Sequence, residues 1–229
     1  MNQLVTKAII LSRTDYGEAD RILTVLTPTY GKLRLLAKGV RRVKSKLAGG
    51  IELFSISEIT YIKGRGDIGT LVSTRLITHY GHIIEDLDRT MAGYELIKQL
   101  NKITEDETEE MYFGLLEEAF AALNDRAIPL ALVRFWFDAK LLQAEGQEPN
   151  LQTDETGKPL VADSTYGFDF EHMTFTPQAP APYGAAEIKF LRLAFGGYAP
   201  RVLHQVQGAA ELLAATAPLI RALRVRMPS

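Results

Sequence analysis

The first eighty residues break into five short runs rich in β-branched and apolar residues, each closed off by turn formers. Leu4 to Ser12 is rich in Val, Thr and Ile. Asp20 to Thr27 puts Ile22, Thr24 and Leu26 on one face. Lys32 to Ala37 sets Lys32 and Arg34 against Leu33, Leu35 and Ala37. Leu53 to Lys63 and Thr70 to Tyr80 follow. Alternation over such lengths predicts strands. Asp15-Tyr16-Gly17-Glu18 and Pro28 to Gly31 supply turns. Five strands in this span predict a small closed barrel, and their number and spacing suit an OB-fold, a platform for single-stranded nucleic acid.

After Tyr80 the period becomes helical. Leu87, Met91, Tyr94 and Leu100 form one stripe after the acidic start at Glu85 and Asp86. A second helix opens at Thr108, with Glu109 and Glu110 in its first turn, and carries Leu115, Leu116, Ala119, Phe120 and Leu123. A third begins at Pro129, runs through Phe135-Trp136-Phe137 and stops near Gly146. Gln147 to Tyr183 reads as an irregular insert with room for one short hairpin. Ala185 to Phe195 and Gly208 to Val225 read as two further helices. The expected architecture is therefore α+β and multidomain: an OB-fold barrel over 1–80, then an all-helical domain over 81–229 with an irregular insert near 147–183.

Charge is divided along the same line. Residues 1–80 hold 13 Lys and Arg against 6 Asp and Glu, a balance of +7; residues 81–229 hold 13 against 22, a balance of −9. This asymmetry predicts a basic module joined to an acidic one. Much of the positive charge lies in Gly31 to Gly50, where Lys32, Arg34, Lys38, Arg41, Arg42, Lys44 and Lys46 fall within fifteen positions uninterrupted by an acid. The plain reading of such a run is a solvated face. The sharper one is a phosphate-binding surface, because releasing counterions from nucleic acid needs clustered cations. The second half of the stretch, Gly39 to Gly50, lacks apolar periodicity and reads as a mobile basic loop.

No catalytic signature emerges. Gly64-Arg65-Gly66-Asp67-Ile68-Gly69 spells G-x-G-x-x-G, but a dinucleotide site needs that motif between a strand and a helix. Here a strand follows, so a glycine-rich hairpin turn is expected, with Arg65 at its tip near enough to contact phosphate. His79 and His82 stand three apart at a strand-to-helix junction, where packing or capping explains them better than metal binding. The acidic run Glu105 to Glu110 is a helix start and solvated face rather than an acid pair. With no cysteine in the chain, thiolate metal sites and cysteine nucleophiles are excluded. Neither cofactor nor metal is expected. No run is long and apolar enough for a membrane helix, and no leader pattern is seen, so a cytoplasmic, nucleoid-associated protein is expected. Tyr16, Tyr30, Phe54, Tyr61 and Tyr80 are the barrel candidates for base stacking, most of them expected to be packing residues with one or two exposed.

Gly17-Glu18-Ala19-Asp20-Arg21, Thr27 to Lys32, Ala37-Lys38-Gly39-Val40-Arg41-Arg42 and the pair Gly49-Gly50 before Leu53-Phe54 resemble the bacterial recombination mediator RecO family. That family has a G-E-x-D-R-like turn, a T-x-x-x-G-K segment and an A-K-G-x-R-R stretch. Tyr94-Glu95-Leu96 and the helix from Phe135 to Leu142, with Gly146 and Pro149, extend the resemblance along the chain. Many members carry four zinc-binding cysteines after that helix; residues 150–176 contain none.

The resemblance implies binding of single- and double-stranded DNA and annealing of complementary strands. It also implies action with RecR in loading RecA onto DNA coated by single-strand binding protein. Arg21, Lys32, Arg34, Lys38, Arg41, Arg42, Lys44, Lys46 and Arg65 are the expected DNA contacts. By the same resemblance the helical domain receives the acidic, aromatic-ended tail of single-strand binding protein. Leu212, Leu213, Leu219 and Leu223, beside Arg221, Arg224 and Arg226, offer the apolar and cationic groups such a tail needs. The residues alone leave an RNA-binding or ribosome-associated OB-fold protein as the alternative.

Overall fold

The computed structural model describes residues 2–64, 66–104 and 110–226. By contacts the chain divides into two compact units, one ending at Arg126 and the other beginning at Ala127.

The first unit is built on a closed barrel with strand order β1-β2-β3-β5-β4. Its strands are β1 (Gln3–Tyr16), β2 (Asp20–Thr27), β3 (Gly31–Ala37), β4 (Ser55–Ile62) and β5 (Ile68–His79). β1 is long enough to pair with β4 through its first half and β2 through its second. An irregularity between Ile10 and Ser12 bends it between the two partners. β3 pairs with β5 in parallel, through Arg34 with Ile68, Leu35 with Gly69 and Leu36 with Thr70. This is the expected OB-fold. Inside lie Ala8, Ile10, Leu23, Val25, Leu35 and Ala37. The alternation expected of β3 holds, with Leu35 and Ala37 inward and Arg34 exposed. On β2 both faces are partly covered, because Leu26 is buried as well, and α3 lies against this strand.

The chain turns from strand to helix at Tyr80. Three helices complete the unit: α1 (Gly81–Ile84), α2 (Leu87–Ile103) and α3 (Glu110–Asn124). The expected start of α3 at Thr108 and Glu109, and the acidic run from Glu105, lie outside the described residues. The α3 stripe Leu115, Leu116, Ala119, Phe120 and Leu123 is buried as expected. On α2 the expected stripe is buried at Leu100 but not at its other three positions. Leu87, Met91 and Tyr94 are exposed, while Ala92, Gly93, Leu96, Ile97 and Leu100 are buried. Small residues win here because Gly93 meets the ring of Phe54, itself 1% exposed and in edge contact with Phe120. Arg89 is also buried. Its guanidinium donates to the carbonyls of Leu123, Asp125 and Arg126, capping the end of α3.

The second unit contains α4 (Leu130–Ala144), the hairpin β6 (Tyr166–Asp169) and β7 (Thr174–Pro177), α5 (Ala185–Phe195), α6 (Pro200–His204) and α7 (Ala209–Arg226). Phe135, Trp136 and Phe137 are core, and the Trp136 indole donates to the Tyr198 carbonyl at 2.7 Å. The short α6 lies between the two helices expected over 185–195 and 208–225. Pro200 starts it because a first-turn residue needs no backbone N–H. No helix among the described residues is long and apolar enough to cross a membrane.

Candidate nucleic-acid interface

The basic loop after β3 is folded into turns rather than left open. Val40 and Leu47 pack on the barrel core beside Ile51. Arg41 N–H donates to the Ala19 carbonyl and Gly39 N–H to the Asp20 carboxylate at 2.6 Å, while the Thr74 hydroxyl donates to the Leu47 carbonyl. Isolated apolar residues with no period still anchor a loop when each meets a core position, so the absence of periodicity did not mean freedom.

The expected cations divide into three groups. Arg21 donates to Asp15 at 2.8 Å, and Arg41 lies 3.6 Å from the same carboxylate. The hydrogen bond from Arg21, with the charge of Arg41 behind it, holds the Asp15 carboxyl below its usual range. Lys32 sends its ammonium to the carbonyls of Asn101 and Thr104, at the C-terminal end of α2, where cations complement the helix dipole. Arg34, Lys38, Arg42, Lys44 and Lys46 make no side-chain hydrogen bond or ion pair among the described residues. These five are the part of the basic stretch that is offered outward. Arg65 lies outside the described residues. Asp15 and Asp20 belong to the turn that the sequence placed nearby, but their pairing with the basic stretch depends on β1, β2 and β3 lying side by side.

A cleft of about 400 Å³ opens where β3 runs past the end of its pairing with β5. Leu33, Leu35 and Tyr61 line it from the barrel. Arg34 and Lys63 bring charge to it, and Tyr30, 38% exposed, meets Tyr61 edge-on with ring centroids 6.1 Å apart. Lys63 was absent from the expected contacts, since it stands outside the basic stretch and only the β4–β5 turn brings it here. Of the other barrel aromatics, Phe54 and Tyr80 are packing residues and Tyr16 is exposed at the β1–β2 turn.

The family model described as "Recombination protein O N terminal" matches residues 1–80, the whole barrel. Proteins named DNA repair protein RecO are similar along more of the chain. That of Halalkalibacterium halodurans is 32% identical over 170 residues, covering 74% of this chain and 65% of its own length. That of Roseiflexus sp. is 36% identical over 165 residues, 71% of this chain and 57% of its own length. That of Acetivibrio thermocellus is 34% identical over 169 residues, 72% and 66%. The chain belongs to the RecO family. It spans less than two thirds of the length of these relatives.

In this RecO family chain the insert is held by aromatic packing. Phe175, fully buried, takes edge contacts from Tyr166, Phe168 and Tyr183. The Asp154 carboxylate closes the preceding turn by accepting from Thr156 and the Lys158 backbone. No group of three or more His, Cys, Asp or Glu stands close enough to hold a metal ion among the described residues. At the end of α3 the His82 backbone N–H donates to the Asn124 side-chain oxygen at 2.9 Å, and its ring Nδ1 lies 3.1 Å from the Asn124 carbonyl.

On α7, Leu219 and Leu223 are core and Leu212 and Leu213 half-buried. Arg224 is tied to Glu145 at 2.7 Å and lies 3.7 Å from Asp138. Arg226 stacks over the Phe170 ring, 4.3 Å from its centroid. Arg221 is exposed and has no side-chain partner among the described residues.

Proposed function

We propose that this chain is a DNA-binding mediator of recombination in DNA repair, acting without catalysis of its own. Residues 1–80 are its nucleic-acid-binding domain and 81–229 its partner-binding domain. The observation that carries this reading is the set of five unneutralised cations, Arg34, Lys38, Arg42, Lys44 and Lys46, spread along and beyond one barrel strand. Phosphate contacts position a strand without reading its sequence, so single- and double-stranded DNA both bind. A strand held by its backbone keeps its bases free, and the loop charge from Arg42 to Lys46 draws in a second strand. Complementary strands therefore anneal, without ATP. Family membership supports the wider role: action with RecR to load RecA onto DNA coated by single-strand binding protein, in the cytoplasm at the nucleoid. For the tail of that protein, α7 offers exposed Arg221 and Arg226 in its last two turns and half-buried Leu212 near its start, while Arg224 is engaged by Glu145 and Asp138.

The test is binding and annealing across salt. Five phosphate contacts give a log–log slope on single strands of about −3.5, and annealing of two complementary oligonucleotides accelerates with no nucleotide present. Salt-independent binding, or an absolute need for ATP, would overturn the reading, and preference for RNA in competition would move it to an RNA-binding protein. A tail peptide that binds equally well after Arg221→Ala and Arg226→Ala would remove α7 from the partner surface.

A further inference from the structure

We infer that the cleft between β3 and the β4–β5 turn holds one unpaired nucleotide, its base stacked on Tyr30 and its phosphates on Arg34 and Lys63. Size comes first. About 400 Å³ sits at the lower end of the range of about 300–1,000 Å³ for small-ligand sites, which is room for one nucleotide.

The lining supplies what such a guest needs. Leu33 and Leu35 give an apolar floor, and Tyr30 presents an aromatic ring partly open to solvent. Tyr61, 3% exposed, holds that ring in a T-shaped contact, and Tyr30 remains 38% exposed. Lys63 has no side-chain partner among the described residues, and neither has Arg34. Asp67 is the acid among the described lining residues; it turns phosphate away from its side and can accept from a base N–H, such as N3–H of thymine, which favours the base inward.

The three glycines of the G-x-G-x-x-G run, 64, 66 and 69, all line this cleft. A Cβ at residue 69 would stand 2.9 Å from both Leu35 Cδ2 and the Ile62 carbonyl, and one at residue 64 would collide with the Ile68 carbonyl at 2.2 Å. The run that lacks the helix of a dinucleotide fold thus lets the β4–β5 turn pack close on the sheet beside the cleft. A paired base reaches this hollow only by leaving its stack, so the cleft distinguishes single strands from duplex where the cationic loop does not.

This inference rests on the proposed DNA binding. The experiment measures anisotropy with the full chain on three probes: a thymidine oligonucleotide, an abasic strand of equal length, and a duplex. The wild type is expected to prefer the thymidine strand over the abasic one by about tenfold. Tyr30→Ala abolishes that preference and leaves duplex affinity within about twofold, whereas Tyr30→Trp retains it. A wild type without the preference, a Tyr30→Ala protein that keeps it, or equal losses on strand and duplex would overturn the inference and leave DNA binding standing. A wild type that binds none of the three probes would overturn both.

Discussion

The ring of Phe54 occupies the place a side chain at Gly93 would need: a Cβ there would lie 2.5 Å from Phe54 Cε1 and 3.0 Å from Cζ. Phe54 holds a left-handed backbone, with φ of 55°, and its carbonyl accepts from Tyr80 N–H at 3.0 Å. Its ring therefore has little freedom to withdraw. Gly93→Ala gains about 1 kcal/mol of helix propensity, but overpacking against a fixed ring costs about 1–3 kcal/mol. A net loss of stability is expected in urea denaturation, although alanine is the better helix former.

Arg89 caps three carbonyls from inside the barrel's unit. Arg89→Met keeps most of the bulk and leaves those carbonyls without the guanidinium. The expected cost is about 2–3 kcal/mol, read by denaturant titration, with DNA affinity unchanged for the folded fraction.

Asp15 restrains two cations. Asp15→Asn releases Arg21 and Arg41 without removing the side chain. Affinity for DNA is expected to rise several-fold at low salt, and the salt slope on single strands to steepen by up to about 1.4, or 0.7 for each phosphate gained. An unchanged slope would mean that neither arginine reaches DNA.

The hairpin tip carries a titrating pair. The His172 ring lies 2.7 Å from the Asp169 carboxylate, whose hydrogen bond raises the imidazole above its usual 6.5, while His172 holds the carboxyl below 3.8. The histidine's contribution is complete below about 6.5 and is lost as pH rises through its raised folded value. The carboxylate's is present above about 3.8 and is lost as pH falls through its lowered one. An NMR titration is expected to place the His172 midpoint above 6.5, and Asp169→Asn to bring it down.

The insert's fold depends on Phe175. Phe175→Ala is expected to cost about 3–5 kcal/mol in unfolding of the second unit. Chelator treatment is expected to leave its melting temperature unchanged, and elemental analysis to find no stoichiometric zinc.

The strands, their order along the chain and the α3 stripe were legible because alternation and helical period state which positions are covered. The face of α2 was not. Leu87, Met91 and Tyr94 outrank Ala92 and Gly93 on any hydrophobic scale, and only the position of Phe54 decides that the small residues face inward. The same limit applied to charge. Seven cations in a row could be counted, but not that Lys32 ends at a helix terminus or that one carboxylate from another strand holds Arg41. Lys63 and the glycines of the β4–β5 turn join β3 only through a parallel pairing between distant segments, which no local pattern encodes.

That parallel pairing has a mechanical consequence. The barrel is a continuous ring of backbone ladders, and a ring opens first at its shortest ladder. The seam between β3 and β5 runs only from Arg34 to Leu36 on one side and from Ile68 to Thr70 on the other, whereas β1 and β4 are laced together from Gln3 to Ile9. Few hydrogen bonds need be surrendered to part it, and the cleft lies at its open end. Strain on the ring is therefore relieved first at this one stitch while the rest stays closed.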